Sequence, residues 1–376
     1  MWSNRQISLS QDLKISHTTL SILSRYIFSK AAAVKQARLW TSHLPHVTPF
    51  YAVKCNNDSR LLSWLQKEGV SFDCASPAEM KLALRTGARS QDIVYANPSK
   101  ALSDIKAAQQ LGVSTTVVDS PEEVLKLREI GWKGSAMIRL LVPDKGSAQP
   151  FSKKFGAPLN WVPEILDCLK GSGIPLAGWS FHVGSMCNAP KQFTTAIELC
   201  ATAHSLVPPA QVRHGQLTID VGGGFLPERD AFAAAAAEIR ASQRLFPKGS
   251  NWIGEPGRFM ASPVVSLEVP VIATKKGLEG ASFRYTLDES VYGAFSNIPF
   301  DGQKPTFDLV LSEPRHRVRA TLFGRTCDSG DCIAEDIEIP ELKVGDILRV
   351  SNMGAYTMVS GSEFNGFEAP KRTYKV

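Results

Sequence analysis

Lys54, Asp73, Arg139, His182, Ser185, Glu255 and Arg258 are the residues of this sequence whose types could do chemistry together. Lys54 follows the apolar run PFYAV, Asp73 lies in SFDCA, Arg139 in AMIRL and His182 in GWSFHV, with Ser185 just beyond. Glu255 and Arg258 stand in NWIGEPGRF, and DVGGGF sets Gly222, Gly223 and Gly224 in a row after another such run. Singly, none of these is specific. A lysine ending a strand ordinarily faces solvent, a lone histidine is more often structural, and a triple glycine can be a tight turn. Jointly they fit one ligand. Glycines let backbone N–H groups approach a phosphate closely, and an arginine adds a planar donor. A buried acid facing a pyridine nitrogen keeps that ring protonated, as an electron sink requires. A lysine able to form a Schiff base completes a pyridoxal phosphate site.

Such residues need a scaffold that gathers strand ends. From about residue 47 to 260 the sequence repeats an apolar β-rich run, a turn and an amphipathic helix. The runs are PFYAV (49–53), SFDCA (71–75), IVYA (93–96), TTVVD (115–119), AMIRL (136–140), GWSFHV (178–183), LTIDV (217–221) and NWIGE (251–255). Ser76-Pro77-Ala78-Glu79 and Ser120-Pro121-Glu122-Glu123 each offer an N-cap, a proline at the first helical position and a glutamate at the third. Eight strands alternating with helices, and no GxGxxG after the first, favour a (β/α)8 TIM-like barrel over an open sheet. Functional groups in a barrel collect at the C-terminal strand ends, where these residues fall. After about residue 262, VVSLEVPVIATKK, TFDLVLS, HRVRATLFG and DILRVSN are strand-like and separated by turn formers. The expected division is a barrel over 26–262 and an antiparallel β-sheet domain over 263–376. Part of 1–25 (ISLS, KISHTTL) is expected to join the sheet. DAFAAAAAEIRAS (230–242) reads as a helix, and PDKGSAQPFSK (143–153) as a flexible loop.

Composition narrows the class. Hydrophobic residues make up 43% and charged residues 21%, too apolar for disorder. No run approaches the ~20 apolar residues of a membrane span, and MWSNRQISLSQDLK lacks the apolar core of a signal peptide. Seven cysteines without paired CxxC units suggest neither a metal site nor a disulfide framework, and they suit a reducing, cytoplasmic setting. The net charge of +6 comes from 42 basic and 36 acidic residues that are interspersed, which argues against nucleic acid and allows attraction for small anions.

YAVKCNN, FDCAS, SFHVGS, DVGGGF, GEPGRF, CDSGD, NMGAYT and FNGF occur in this order over roughly residues 40–376. In that order they resemble the fold-type III pyridoxal-phosphate decarboxylases, and within them most the eukaryotic-type ornithine decarboxylases. The resemblance implies an alanine-racemase-like barrel with a β domain, with Lys54 holding pyridoxal 5'-phosphate covalently. Asp73 and Arg139 would belong to the surrounding hydrogen-bonded network, and His182 would stack on the cofactor ring. Ser185, Gly222–Gly224, the Pro256-Gly257-Arg258 turn and Tyr356 would bind phosphate, and Glu255 would pair with the ring nitrogen. It further implies a homodimer with shared active sites, in which the partner supplies CDSGD. Cys327 would then return a proton to the carbanionic carbon after carbon dioxide leaves, a step a neutral thiol can perform. Lys154 and Asp331 would bridge the subunits, with Phe364 at the same interface.

Substrate choice rests on the distal end. The resemblance implies that Phe300, Asp301 and Asp328 would lie around the terminal ammonium of the substrate. Two carboxylates sharing a cation relieve a repulsion that would otherwise raise one pKa, although Asp301 could equally be a solvated turn residue. Asp after the cysteine favours a diamine product over diaminopimelate chemistry. Ornithine is therefore expected, with lysine open because one methylene is worth only ~1–3 kcal/mol of discrimination. Several positions depart from the family pattern: YIFSKAAAV replaces an aromatic-rich strand, Arg325 and Ser329 replace Pro and Gly, and Met186 replaces a frequent Gly. Arg325, two residues from Cys327, could alter pocket charge. The competing reading is a catalytically inactive regulator of the antizyme-inhibitor kind, and regulation by an antizyme-type partner stays open. Such relatives lose cofactor or proton-donor residues, whereas Lys54, His182, Glu255, Arg258, Cys327 and Tyr356 all stand here. A racemase would need a second base, usually Tyr, where Cys327 stands.

Overall fold

The computed structural model describes residues 23–208, 217–276, 282–310 and 314–376. Its first strand, β1 (Arg25–Ser29), ends on Ser29, whose hydroxyl accepts the Ala32 N–H and caps the helix Lys30–His43. Eight strands then close a parallel barrel: β2 (Val47–Ala52), β3 (Ser71–Cys74), β4 (Ile93–Tyr95), β5 (Thr115–Val118), β6 (Ser135–Arg139), β8 (Leu176–Ser180), β10 (Thr218–Asp220) and β11 (Asn251–Gly254). Between them, β7 (Ser147–Gln149) and β9 (Ser185–Cys187) pair antiparallel at the barrel mouth. Each barrel strand overlaps one of the eight expected runs.

The local signals act as physical chemistry requires. The Ser76 hydroxyl accepts the Glu79 N–H at 3.3 Å, and the Glu79 carboxylate reaches back to the Ala75 N–H at 2.6 Å. The Ser120 hydroxyl caps Pro121–Ile130, which stops at Gly131 with φ of 68°. Inside the barrel, Phe50, Val94, Val117, Met137 and Ile253 form one apolar plug. Outside it, Trp40 packs against Phe225, Phe232 and Phe259 and donates its indole N–H to the Val47 carbonyl at 2.7 Å. This locks the first helix to the first barrel strand.

The remaining strands are β12 (Val265–Lys276), β13 (Phe283–Leu287), β14 (Phe307–Leu309), β15 (Arg317–Phe323), β16 (Cys332–Pro340), β17 (Ile347–Val350) and β18 (Lys371–Lys375). They form one sheet in the order β14-β17-β12-β13-β15-β16, with β1 inserted between β12 and β18. The sheet is mixed rather than purely antiparallel, because β1–β18 and β13–β15 run parallel. An N-terminal barrel boundary at residue 26 falls inside β1, whose hydrogen bonds belong to the sheet. ISLS and KISHTTL lie outside the described residues. The alanine-rich stretch is a helix, Arg229–Ser242. The 143–153 segment departs from the expected flexible loop. The buried Asp144 carboxylate accepts the Phe151 and Ser152 N–H groups, at 2.6 and 2.7 Å, and the Ser152 hydroxyl, which orders the turn. Among the described residues no helix is long and apolar enough to cross a membrane.

Barrel closure depends on Gly178 in β8, where φ is +149° and an added Cβ would lie 1.8 Å from the Thr218 carbonyl oxygen. Gly178→Ala must therefore separate β8 from β10. We expect a loss of at least about 1–3 kcal/mol, read as a lower urea midpoint.

Candidate active site

A cavity of about 480 Å³ opens at the C-terminal ends of the barrel strands, with Lys54, His182, Glu255 and Arg258 in its wall and Tyr356 contributed by the β domain. Lys54 sits in the tight turn Val53–Cys55 directly after β2, and Asp73 is the third residue of β3. The pairing of β2 with β3 sets Ala52 opposite Asp73, so the lysine emerges above the aspartate and donates to its Oδ2. Asp73 is fully buried and its Oδ1 has no partner among the described residues. The Lys54 side chain is 40% open, but it opens into the cavity. Burial disfavours its charge, yet the carboxylates of Asp73 and then Glu255 outweigh that and hold the ammonium well above its ordinary pKa.

Glu255 follows β11, and Asp220 ends β10 beside it. Burial pushes Asp220 up to about 6, although its carboxylate accepts the Gly222 N–H at 2.9 Å and the Ser180 hydroxyl. Burial, reinforced by Asp220 and Asp73, raises Glu255 further. Arg139, at the end of β6, lies over the Phe155 ring at 5.0 Å, and its charge also faces this acidic group.

His182 accepts the Gly184 N–H on Nδ1 at 3.1 Å, which leaves the ring proton on Nε2. Burial, then the charges of Arg139 and Lys54, drive its pKa well below the ordinary value, so the imidazole is neutral. The Phe151 ring lies against it at 4.8 Å. The glycine row fits around it tightly. A Cβ on Gly223 would come within 2.7 Å of His182 Nε2, and one on Gly222, at φ of +61°, within 2.0 Å of the Phe181 carbonyl oxygen. Arg258 Nη2 donates to the Ser185 hydroxyl at 3.2 Å and to Asp301 Oδ1 at 2.8 Å, with the guanidinium over the Tyr356 ring. Its Nε is buried without a partner among the described residues. Gly257 lines the cavity, while Pro256, Gly222 and Asp73 stand just behind the lining.

The expected site residues thus divide into two groups. Lys54, Asp73, Arg139, His182, Ser185, Gly222–Gly224, Glu255–Arg258 and Tyr356 converge, with Phe300 exposed at the rim. Cys327, Asp328 and Phe364 line no part of that cavity. Cys327 is exposed with its N–H on Asn365 Oδ1, Asp328 accepts the Tyr292 hydroxyl, and Phe364 stacks on Tyr292 at 4.4 Å. Asp301 and Asp328 are not neighbours within one chain. Asp301 pairs with Arg258 instead, because both are buried and each is the other's nearest countercharge. Asp331 does not meet Lys154 here. Its carboxylate is buried and accepts the Val291 N–H and the Thr326 hydroxyl, while Lys154 lies over the Phe155 ring. Arg325 turns from the cysteine to pair with Asp288 at 2.8 Å and stack on Phe367. Met186 keeps φ of 55°, the left-handed geometry that a glycine there would adopt freely.

Sequence reasoning missed Asp220, Phe151, Phe155 and Lys100. Asp220 stands in LTIDV immediately before the glycine row, and the strand-end rule that found Asp73 reaches it too. Lys100 has a fully buried ammonium donating to the carbonyls of Asn97, Pro98 and Val117, which pins the cavity wall at Asn97-Pro98.

The chemistry of this donor set matches pyridoxal phosphate. A buried acidic group with surplus negative charge awaits a cationic ring, a neutral flat imidazole stands beside it, and glycine amides with an unsatisfied arginine N–H face an anion. Fold and site define a pyridoxal-phosphate-dependent amino-acid decarboxylase. The sequence matches, over residues 30–262, the family described as "Pyridoxal-dependent decarboxylase, pyridoxal binding domain", and the chain belongs to that family. It is 33% identical to an ornithine decarboxylase of Caenorhabditis elegans, over 98% of this chain and 90% of that one. It is 36% identical to antizyme inhibitor 2 of Xenopus laevis, over 86% of this chain and 75% of the relative. The solved arginine decarboxylase of Paramecium bursaria Chlorella virus, bound to agmatine, superposes with a TM-score of 0.89 at 32% identity, covering 94% of this chain and 96% of that structure.

Two outcomes follow from this geometry. Lys54→Ala abolishes the visible absorbance of the bound cofactor, read by spectrophotometry against wild type. Because the folded pKa of His182 is depressed, the unfolded chain binds more protons below the ordinary value of about 6.5, so stability falls as pH drops through 6.5. His182→Gln flattens that slope in urea midpoints measured between about pH 7 and 5.5.

Proposed function

We propose that this chain decarboxylates L-ornithine to putrescine as a cytoplasmic homodimer, each active site combining Lys54 of one protomer with Cys327 of the other. The observation that carries the reading is the second group of residues. The exposed thiol of Cys327, the carboxylate of Asp328 and the Tyr292–Phe364 stack form one surface cluster outside the cavity of their own chain. A second protomer would set that cluster over the cavity mouth, where Phe300 is 72% exposed. The two sequence-defined units, 26–262 and 263–376, would then contribute one half-site each, with Lys154 and Phe364 near the junction.

Pyridoxal phosphate, when bound, supplies an electron sink for the pair of electrons left when carbon dioxide departs. Lys54 would hold it covalently, and Asp73 orients the Lys54 nitrogen toward the cavity. Glu255 and Asp220 share buried charge that a ring N–H⁺ would stabilise, so Glu255 would keep that proton in place. His182 offers an uncharged face against which the ring would lie. Ser185, the amides of Gly223 and Gly224, Arg258 and Tyr356 would take the phosphate. Asp301 and the partner protomer's copy of Asp328 would flank the terminal ammonium, and Cys327 Sγ–H would return the proton to the α-carbon.

Ornithine is favoured by the relatives named ornithine decarboxylase. The antizyme-inhibitor relative raises a regulatory reading, which the intact Lys54–Asp73 pair and neutral His182 oppose. All seven cysteines are free, in keeping with a reducing compartment.

Carbon dioxide released from carboxyl-labelled ornithine, lysine and arginine, each supplied alone, tests the substrate: ornithine should lead. No release from ornithine refutes the assignment, and release from lysine alone reassigns it. Lys54→Ala and Cys327→Ala chains should each be inactive alone and regain part of the activity when mixed, because a mixed dimer holds one complete site. Without such recovery the shared site is wrong.

A further inference from the structure

We propose that Arg258 and Asp301 form a relay joining the two ends of the cavity, so that an anion held by Arg258 and an ammonium held by Asp301 bind with positive cooperativity. The identity of the cation rests on the amine-substrate reading above; the relay itself rests on the geometry.

The two side chains are only 8% and 10% exposed. Arg258 Nη2 is fully committed, with one N–H to Asp301 Oδ1 and the other to Ser185. The arginine nonetheless keeps one buried N–H, on Nε, without a hydrogen bond among the described residues, while both Asp301 oxygens contact Nη2, Oδ1 at 2.8 Å and Oδ2 at 2.7 Å. Nε needs an acceptor, which a phosphate oxygen supplies. The Asp301 carboxylate, which lines the cavity, has lone pairs left over for an ammonium. The guanidinium therefore holds the carboxylate through Nη2 and offers Nε to an anion, so one group serves both.

Coulomb's law gives the sign. With Arg258 compensating Asp301, an approaching ammonium meets a carboxylate whose charge is already partly cancelled. A dianion on the far side of the guanidinium withdraws part of that compensation, and the carboxylate attracts the ammonium more strongly. In a poorly solvated site this change is not screened away. Burial raises the Asp301 carboxyl, and Arg258 is the first group opposing that rise. By linkage, the ammonium must tighten the anion by the same factor. Asp301 is thus a positioning residue for the phosphate end as well as a contact for the substrate.

Calorimetric titration of the full chain, freed of cofactor, tests this with inorganic phosphate and 1,4-diaminobutane, each alone and in the presence of the other. Wild type should show each ligand tightening the other by one common factor, within the roughly 5–150-fold range of such couplings. Asp301→Asn should abolish the mutual effect and tighten phosphate severalfold on its own, because the carboxylate beside Arg258 loses its charge. Asp301→Ser, checked by its melting curve, should do the same and guards against a folding artefact. Where wild type binds both ligands, absence of coupling, or coupling unchanged in Asp301→Asn, overturns the relay, and phosphate affinity unmoved in both variants overturns it in every case. If wild type binds no diamine but both variants tighten phosphate, the relay stands and the amine reading falls.

Discussion

The ion pair between Lys54 and Asp73, on the floor of a buried acidic group, is the constraint on which the rest of the structure depends. Asp73, Asp220 and Glu255 lie together beneath the cavity, and Lys54 and Arg139 are the cations that face them. Removing charges from water costs several kcal/mol per ion unless partners and hydrogen bonds are well placed. Here the carboxyl groups outnumber the cations, and burial displaces both Asp220 and Glu255 upward. A barrel can hold such a group because β2, β3, β6, β10 and β11 are neighbours or near neighbours in one closed sheet. Their C-terminal ends then converge on a few ångströms of space.

The β domain participates in this constraint directly. The Tyr356 N–H donates to the Cys55 carbonyl at 3.0 Å, and Asn56 Nδ2 donates to the Gly354 carbonyl at 2.8 Å, so the loop carrying Tyr356 is tied to the turn carrying Lys54. Asp58, buried two residues further on, accepts from Arg372 and Tyr374 of β18. β1 then passes from the sheet straight into the first barrel helix through the Ser29 cap. Sheet and barrel are held by hydrogen bonds on either side of Lys54. The pose of Tyr356 under Arg258 is one consequence.

Much of this was legible in the sequence. Strand ends and helix starts are local events, written in apolar runs and in Ser-Pro-x-Glu caps, and the residues at those ends formed the cavity as expected. What stayed illegible depends on partners distant in the chain. β1 reads as a strand, but nothing in RYIFS says that Arg25 will face Glu268 and Lys371. Loop residues gave no periodic signal, so the ordering of 143–153 by Asp144, and the placement of Phe151 and Phe155, could not be anticipated. The pairing of Asp301 with Arg258, and the capture of Asp331 by Val291 and Thr326, are choices among several acids and several donors that only packing decides.

Three lysines are candidates for the covalent bond to the cofactor. Lys54 and Lys154 line the cavity. Lys100, lowered to about 8 by burial, would be the readiest nucleophile if it were accessible, but its ammonium is enclosed by backbone carbonyls. On the proposed reading, geometry rather than basicity would select Lys54, which Asp73 holds at the cavity floor. Borohydride reduction of the cofactor-loaded protein, followed by peptide mapping, measures that selection directly. The account predicts the pyridoxyl mass on the peptide containing Lys54 alone, and a label on Lys100 or Lys154, or no label at all, would contradict it.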